Sequence, residues 1–190
     1  PDGDAACDMM HAELMTGYYR GGHFTALGLD LEYNGQMRLI LPDEGMSPED
    51  LLADAQLCEY LTQSQQAAAA NEHFATVRMT VPKFDVSSGI DLKDGLKALG
   101  ITDVFEPGKA DFSPLTAGAG DVYLSTAKQG ARVLIDEDGC KAAALTVLEY
   151  KCTGAPTEQY EFVLDRPFLF EMISDAGMPL FVGIVNMPGA

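Results

Sequence analysis

Leu27, Leu29, Leu31 and Tyr33 alternate with other residues as far as Asn34-Gly35, and Met37, Leu39 and Leu41 resume the alternation beyond it. A period of two sends successive side chains to opposite faces of a strand, and Asn-Gly supplies the backbone that a tight reversal needs. This segment is therefore predicted to be an antiparallel hairpin, and the chain to be built on a sheet.

The rest of the chain adds helices to that sheet without alternating with it. Ser47-Pro48-Glu49-Asp50 has the form of a helix start, with a capping hydroxyl, proline at the first helical position and an acid three residues after the cap, which predicts a helix over 48–62. Residues 63–73 are polar and alanine-rich, either a helical extension or a loose connection. Phe74, Val77, Met79 and Val81 predict a strand that Pro82 interrupts, and Asp91 then caps a short helix over 92–99 that Gly100 ends. A long strand is expected over 122–139, and a hairpin of two apolar strands around Asp175-Ala176-Gly177, with residues 178–188 as a buried strand. Met9, Met10, Met15, Leu39, Ile40 and Leu41 are expected in the core. This order predicts an α+β fold with a largely antiparallel sheet.

Composition narrows the function. One domain suits 190 residues, and 29 acidic against 12 basic residues, a net charge of -17, argue against nucleic acid, whose phosphates need a basic face. No apolar run approaches the roughly 20 residues of a membrane helix. The chain begins at Pro1 with neither an initiator methionine nor an apolar leader, so any targeting segment is expected either upstream or not at all. The cysteines, Cys7, Cys58, Cys140 and Cys152, are spaced 51, 82 and 12 residues apart, which fits neither a zinc pattern nor a close disulfide framework, so free thiols are expected. His11, His23 and His73 lack the i, i+4 spacing of a metal-binding helix, and no nucleophile elbow, phosphate loop or dinucleotide fingerprint is present, so neither catalysis nor a cofactor or metal is expected.

Three separated blocks are specific. "VPKFDVSSGIDLKDGLKALGITDVFEPGKADFSPL" (81–115), "ARVLIDEDGCKAAALT" (131–146) and "FVLDRPFLFEMISDAGMPLFVGIVNMP" (162–188) resemble the serpin family in order, and the resemblance extends over nearly all of the chain from Met9. It implies a serpin-like α+β fold of mostly antiparallel sheets with a few helices and a reactive loop at about 137–161. It also implies that the chain is the C-terminal half of such a domain, the helical N-terminal half being absent. The implied activity is that of an inhibitor, not an enzyme. An exposed loop is offered to a serine protease, or in some members a cysteine protease, and once acylated the cut loop enters the central sheet as a new strand. The implied partners are the target protease and the missing N-terminal half, and the implied location is extracellular.

The loop residues can be tested against that chemistry. A strand entering a sheet puts alternate side chains on the core face, where an unpaired charge would cost several kcal/mol. The even positions are Cys140, Ala142, Ala144, Thr146, Leu148, Tyr150 and Cys152; Lys141, Glu149 and Lys151 all fall on the odd face. The alternative is an ordinary amphipathic strand. The resemblance makes Glu137, Gly139, Cys140, Ala142, Ala143 and Ala144 the hinge, with Gly139 freeing the turn and the alanines small enough to enter a closed sheet. Cys140, Lys141 and Leu145 depart from the family's usual residues, and Gln129 stands where many serpins carry a histidine.

Counting from Glu137 by the family's loop length places the attacked bond at Thr153-Gly154, which suits an elastase-like or subtilisin-like enzyme. Lys151-Cys152 is the alternative for a trypsin-like enzyme, and Tyr150 for a chymotrypsin-like one. The rival reading is a non-inhibitory serpin-like binding or structural protein, or an inactive truncated relative.

Overall fold

The computed structural model describes residues 6–31, 35–116, 122–136, 139–140 and 158–188, with the backbone alone at Gln65, Gln66, Gly139 and Cys140. Strand β1 covers Met9–Arg20, β2 Phe24–Asp30 and β3 Gln36–Pro42. β2 and β3 form the expected hairpin, with Leu27 opposite Leu39 and Leu29 opposite Met37. The reversal ends at Gly35, whose φ of 104 is left-handed and where a Cβ would strike the Ile173 carbonyl, so glycine alone fits.

The single helix expected over 48–62 is two. α1 is Pro48–Leu51, with the Ser47 hydroxyl accepting from the Asp50 N–H as expected. The chain then leaves the helical path, and Asp54, extended at ψ 123, caps α2, Ala55–Thr62, by accepting from the Gln56 N–H. A short carboxylate competes for backbone donors outside a helix, and this break leaves Leu51 and Leu57 both fully buried. α3, Gln65–Ala69, is a separate short helix within the alanine-rich segment.

β4, His73–Pro82, stops at the proline as expected, and β5, Phe84–Asp91, follows at once; its Asp85-Val86-Ser87-Ser88-Gly89 carries too little apolar alternation to announce a strand. α4 is Lys93–Ala98, with Asp91 accepting from the Lys93 N–H. It ends at Gly100, φ 89, where the Gly100 and Ile101 N–H groups return to the Lys97 and Leu96 carbonyls in a Schellman arrangement. A 3-10 turn at Asp103–Phe105 and the short helix α5, Ser113–Thr116, precede β6, Lys128–Asp136. β6 is shorter than the strand expected over 122–139. Leu124 donates to the Val104 carbonyl, and the Ser125 carbonyl accepts from Lys93, so this backbone is engaged outside any ladder. β7 is Gly139–Cys140, β8 Gln159–Val163, β9 Phe168–Ile173 and β10 Pro179–Val185.

Among the described residues the strands make a seven-stranded sheet in the order β10-β9-β3-β2-β1-β4-β8, antiparallel except for the parallel β4–β8 pair, and a three-stranded sheet in the order β5-β6-β7. The chain divides into two compact units, Pro1–Val86 with Val133–Ala190, and Ser87–Arg132. In the first unit the seven-stranded sheet is covered on both faces. Leu27, Leu39, Val77, Phe162 and Phe170 build one core with Phe84 and Val133, while Phe24, Ile40 and Leu169 build the other under Leu51, Leu57 and Tyr60. β3 is therefore buried along its whole length.

Two burial expectations change. The apolar run at 178–188 holds an edge strand, paired among the described residues with β9 alone, and Pro179 to Val182 are exposed; hydrophobicity alone does not distinguish an edge from a centre. Met9, Met10 and Met15 are half-buried, whereas Leu39, Ile40 and Leu41 are in the core. None of the helices among the described residues is long and apolar enough to cross a membrane.

The helix-side core contains one ion pair. Arg38 on β3 and Glu171 opposite it on β9 meet at 3.0 Å with both side chains fully buried. The Arg38 guanidinium also donates to the Tyr60 and Gln63 carbonyls at the C-terminal end of α2 and lies 4.9 Å from the Tyr60 ring centroid. Removing one partner of such a pair strands a charge. Arg38→Met should lower the unfolding free energy by about 3–5 kcal/mol in urea titration, and adding Glu171→Met should restore much of the loss.

Burial also pushes the Glu72 carboxyl above its ordinary 4.5, with Arg38 opposing and Asp30 reinforcing the shift. The folded chain holds that proton more tightly than the unfolded one, so this contribution to stability is complete below pH 4.5 and is lost as pH rises through the folded-state value. Glu72→Gln should remove that decline and raise the urea midpoint at pH 7 above wild type.

Candidate functional site

The loop predicted to be the bait joins two strands that are both described, and those strands define the site. At its N-terminal end, β7 runs antiparallel to the end of β6, with Gly139 opposite Asp136 and Cys140 opposite Ile135. β7 lies on the side of β6 away from β5. Ile135 packs against the core that contains Tyr18 and Phe168, and Val133, two residues back on the same face of β6, is buried in that core at 4% exposure. Ile135 and Val133 thus mark the core-side face of β6.

At its C-terminal end the loop returns through Glu158 into β8. The Glu158 carbonyl accepts from the Thr76 N–H at 2.9 Å, and its carboxylate Oε1 accepts from the Tyr18 hydroxyl at 2.8 Å. Tyr18 stacks on Tyr160 with centroids 4.1 Å apart and planes 8° apart, and on His73 at 5.4 Å. Burial, and then the Glu158 hydrogen bond, push the Tyr18 phenol above its ordinary value, so it stays a donor.

Beyond β8 comes the segment that resembles the family's C-terminal signature. Arg166 donates to the Pro42 carbonyl from both Nε and Nη2, at 3.1 and 3.0 Å, and to Asp165 from Nη1 at 2.9 Å. Phe168 begins β9 fully buried, its ring 5.6 Å from that of Phe84. The arginine thus ties the turn into β9 to the end of β3, and the phenylalanine roots the strand in the core.

Gly139 and Cys140 are the hinge residues whose backbone is described. Glu137, Ala142, Ala143, Ala144, Lys151, Cys152, Thr153 and Gly154 lie outside the described residues, as does Tyr150. Gln129 is on β6 and exposed. Cys7 and Cys58 are free thiols, half-buried and exposed respectively. His11 shares a hydrogen bond with the Thr80 hydroxyl at 3.1 Å, and His73 is in the tyrosine stack. Sequence reasoning missed the Glu158 anchor: Tyr18 and Glu158 are 140 residues apart, and only the β1–β4–β8 order brings them together. The available signal was the alternation of apolar Met10, Ala12, Leu14 with polar neighbours leading to Tyr18, which marks β1 as a strand.

Comparison with known proteins is consistent along the chain. The family model described as serpin (serine protease inhibitor) matches residues 3–188. Human glia-derived nexin is 33% identical over 164 residues, which is 84% of this chain and 39% of the relative, and pig plasminogen activator inhibitor 1 is 32% identical over 88% of this chain and 40% of the relative. The solved structure of tengpin, a thermophilic serpin in its native state, superposes with a TM-score of 0.73 at 28% identity, covering 95% of this chain and 46% of that one. The chain therefore spans somewhat under half the length of these proteins.

The Arg166 contact carries a direct expectation. Arg166→Ala should lower stability by about 1–3 kcal/mol by urea titration, since the part-buried Pro42 carbonyl loses both donors.

Proposed function

The chain belongs to the serpin family, and on that premise we propose that the complete protein is a suicide inhibitor of an extracellular serine protease, with residues 137–161 as its reactive loop. The observation that carries this reading is the register of β7 on β6.

Opposite residues of an antiparallel pair share a face, so on insertion a continuation of that register would set Ala142 opposite the buried Val133, Ala144 opposite Ala131 and Thr146 opposite Gln129. The even face, Cys140, Ala142, Ala144, Thr146, Leu148, Tyr150 and Cys152, is then the core face of the inserted strand, and it is the face without charge. Lys141, Glu149 and Lys151 turn outward. In that register the uncharged face of the loop would meet the buried Val133 of β6.

The chemical step is acyl transfer. The protease serine Oγ forms an ester with the Thr153 carbonyl carbon, the Thr153-Gly154 amide breaks, and the proton passes to the new Gly154 amine; Lys151-Cys152 is the alternative bond. The freed segment then extends β7 along β6. Thirteen residues at roughly 3.3 Å each would carry the attached enzyme some 40 Å. The N-terminal half of the domain supplies the far side of the β5-β6-β7 sheet, which is consistent with a chain spanning 39% of human glia-derived nexin. Neither cofactor nor metal takes part in this chemistry.

The test is incubation of the full-length protein with trypsin-like, chymotrypsin-like and elastase-like proteases, followed by denaturing electrophoresis. A covalent adduct is expected with one of them, and complete turnover by all three would overturn the reading. Parity sharpens the test. Ala144→Arg puts a charge on the core face at a cost of several kcal/mol and should abolish the adduct while leaving cleavage, whereas Ala143→Arg should retain the adduct. Adducts at wild-type yield from both variants would exclude insertion in this register.

A further inference from the structure

The C-terminal end of the loop is held by residues that the insertion step does not use. Among the described residues β8 is a five-residue edge strand with β4 as its one neighbour, so its first residues are the place where pulling on the loop would peel it from the sheet. Glu158 stands immediately before β8 and is secured twice, by the Thr76 N–H on β4 and by the Tyr18 hydroxyl on β1. β1 is not adjacent to β8 but lies on the other side of β4. Tyr18 therefore reaches past the start of β4 to fix an edge strand two places away.

The donor is itself held in place. Tyr18 is 4% exposed, its ring stacks with those of Tyr160 and His73, and the Tyr160 hydroxyl donates to the Thr25 hydroxyl on β2 at 3.3 Å. A phenol with so little rotational freedom gives a hydrogen bond to a carboxylate at small entropic cost. Arrangements of this kind resist fraying and fix the direction in which a loop leaves the fold.

Resting on the inhibitor reading above, we propose that Tyr18, Glu158 and Tyr160 form a clamp that positions the bait, by fixing the leaving-group end of the loop so that the scissile bond is presented to the protease in one pose. Thr153 lies five residues before Glu158, so fixing Glu158 limits the bond to within roughly 17 Å of that anchor. Confinement before encounter removes ordering that binding would otherwise require. After cleavage the clamp retains the new Gly154 amine with β8 while the acylated end departs along β6, which separates the two ends and opposes religation. Tyr18 acts through Glu158 and is a positioning residue.

The experiment compares full-length wild type with Tyr18→Phe, which keeps the ring stack and its packing, with Glu158→Ala, which removes the side-chain acceptor, and with the double variant. Amide hydrogen exchange over 159–163 should accelerate about tenfold in each single variant and no further in the double, as expected for loss of one charge-assisted hydrogen bond, while exchange over 168–173 stays at wild-type rates. The second-order rate of adduct formation should fall by a similar factor, with thermal midpoints shifted by no more than a few degrees. Unchanged exchange over 159–163, or additive effects of the two substitutions, would overturn the clamp. Accelerated exchange with an unchanged adduct rate would overturn its positioning role. A wild type that forms no adduct would overturn the inhibitor reading and the positioning role together, leaving the exchange data to decide the clamp.

Discussion

Arg38 sits in the middle of a fully buried strand, and its guanidinium meets Glu171 across the sheet and the Tyr60 and Gln63 carbonyls at the end of α2. A charge in such a place is tolerated when it is paired and its donors are used, and here the acceptors come from two different layers. The contact fixes the register of β3 against β9, because a slip by one residue would turn Arg38 toward the apolar core on the other face. It also fixes α2 on the sheet, since the arginine donates to two carbonyls at the end of that helix. Its second carboxylate oxygen, Oε1 of Glu171, is buried without a donor among the described residues, so the pair specifies an arrangement more than it adds stability.

A sheet fixed in that way provides a rigid base for a segment whose two ends are joined to different places. One end leaves from the β6–β7 pair, and the other enters β8, which is parallel to β4 at the far edge of the seven-stranded sheet. Arg166, bonded to the Pro42 carbonyl, and Phe168, buried beside Phe84, secure the chain where it passes from β8 into β9. The stacked Tyr18 and Tyr160 rings do the same where it enters β8. In the proposed inhibitor the two ends have opposite tasks, the first extending along β6 and the second staying in place, and the local chemistry differs accordingly: glycine and alanines at one, aromatic stacking and a charge-assisted hydrogen bond at the other.

The parts of the fold legible in the sequence are those governed by short-range rules. Alternation around Asn34-Gly35, the Ser47 cap, Pro82 at the end of β4, Gly100 after α4 and the turn at Asp175-Ala176-Gly177 all depend on a few neighbouring residues, and each stands where it was expected. The helix over 48–62 was expected in one piece because Asp54 has two uses, as an interior residue or as a second cap, and burial of both Leu51 and Leu57 decided between them. β10 was expected to be buried because an apolar run has the same composition at an edge as in the centre of a sheet. For the candidate site, the charge parity of residues 140–152 was visible in the chain, whereas the pairing of Gly139 and Cys140 with the end of β6 was not.

The sequence by itself determined the family, the α+β class and the two faces of the loop, because motif order and side-chain periodicity are properties of the linear chain. Tertiary structure decided that β7 pairs with the end of β6, with Cys140 opposite Ile135. It also decided where the loop is tethered, through Tyr18 and Glu158, which are 140 residues apart. The physical reason is common to both: strand order and register arise from burying two cores at once, and a local pattern contains no information about which distant strand will share them.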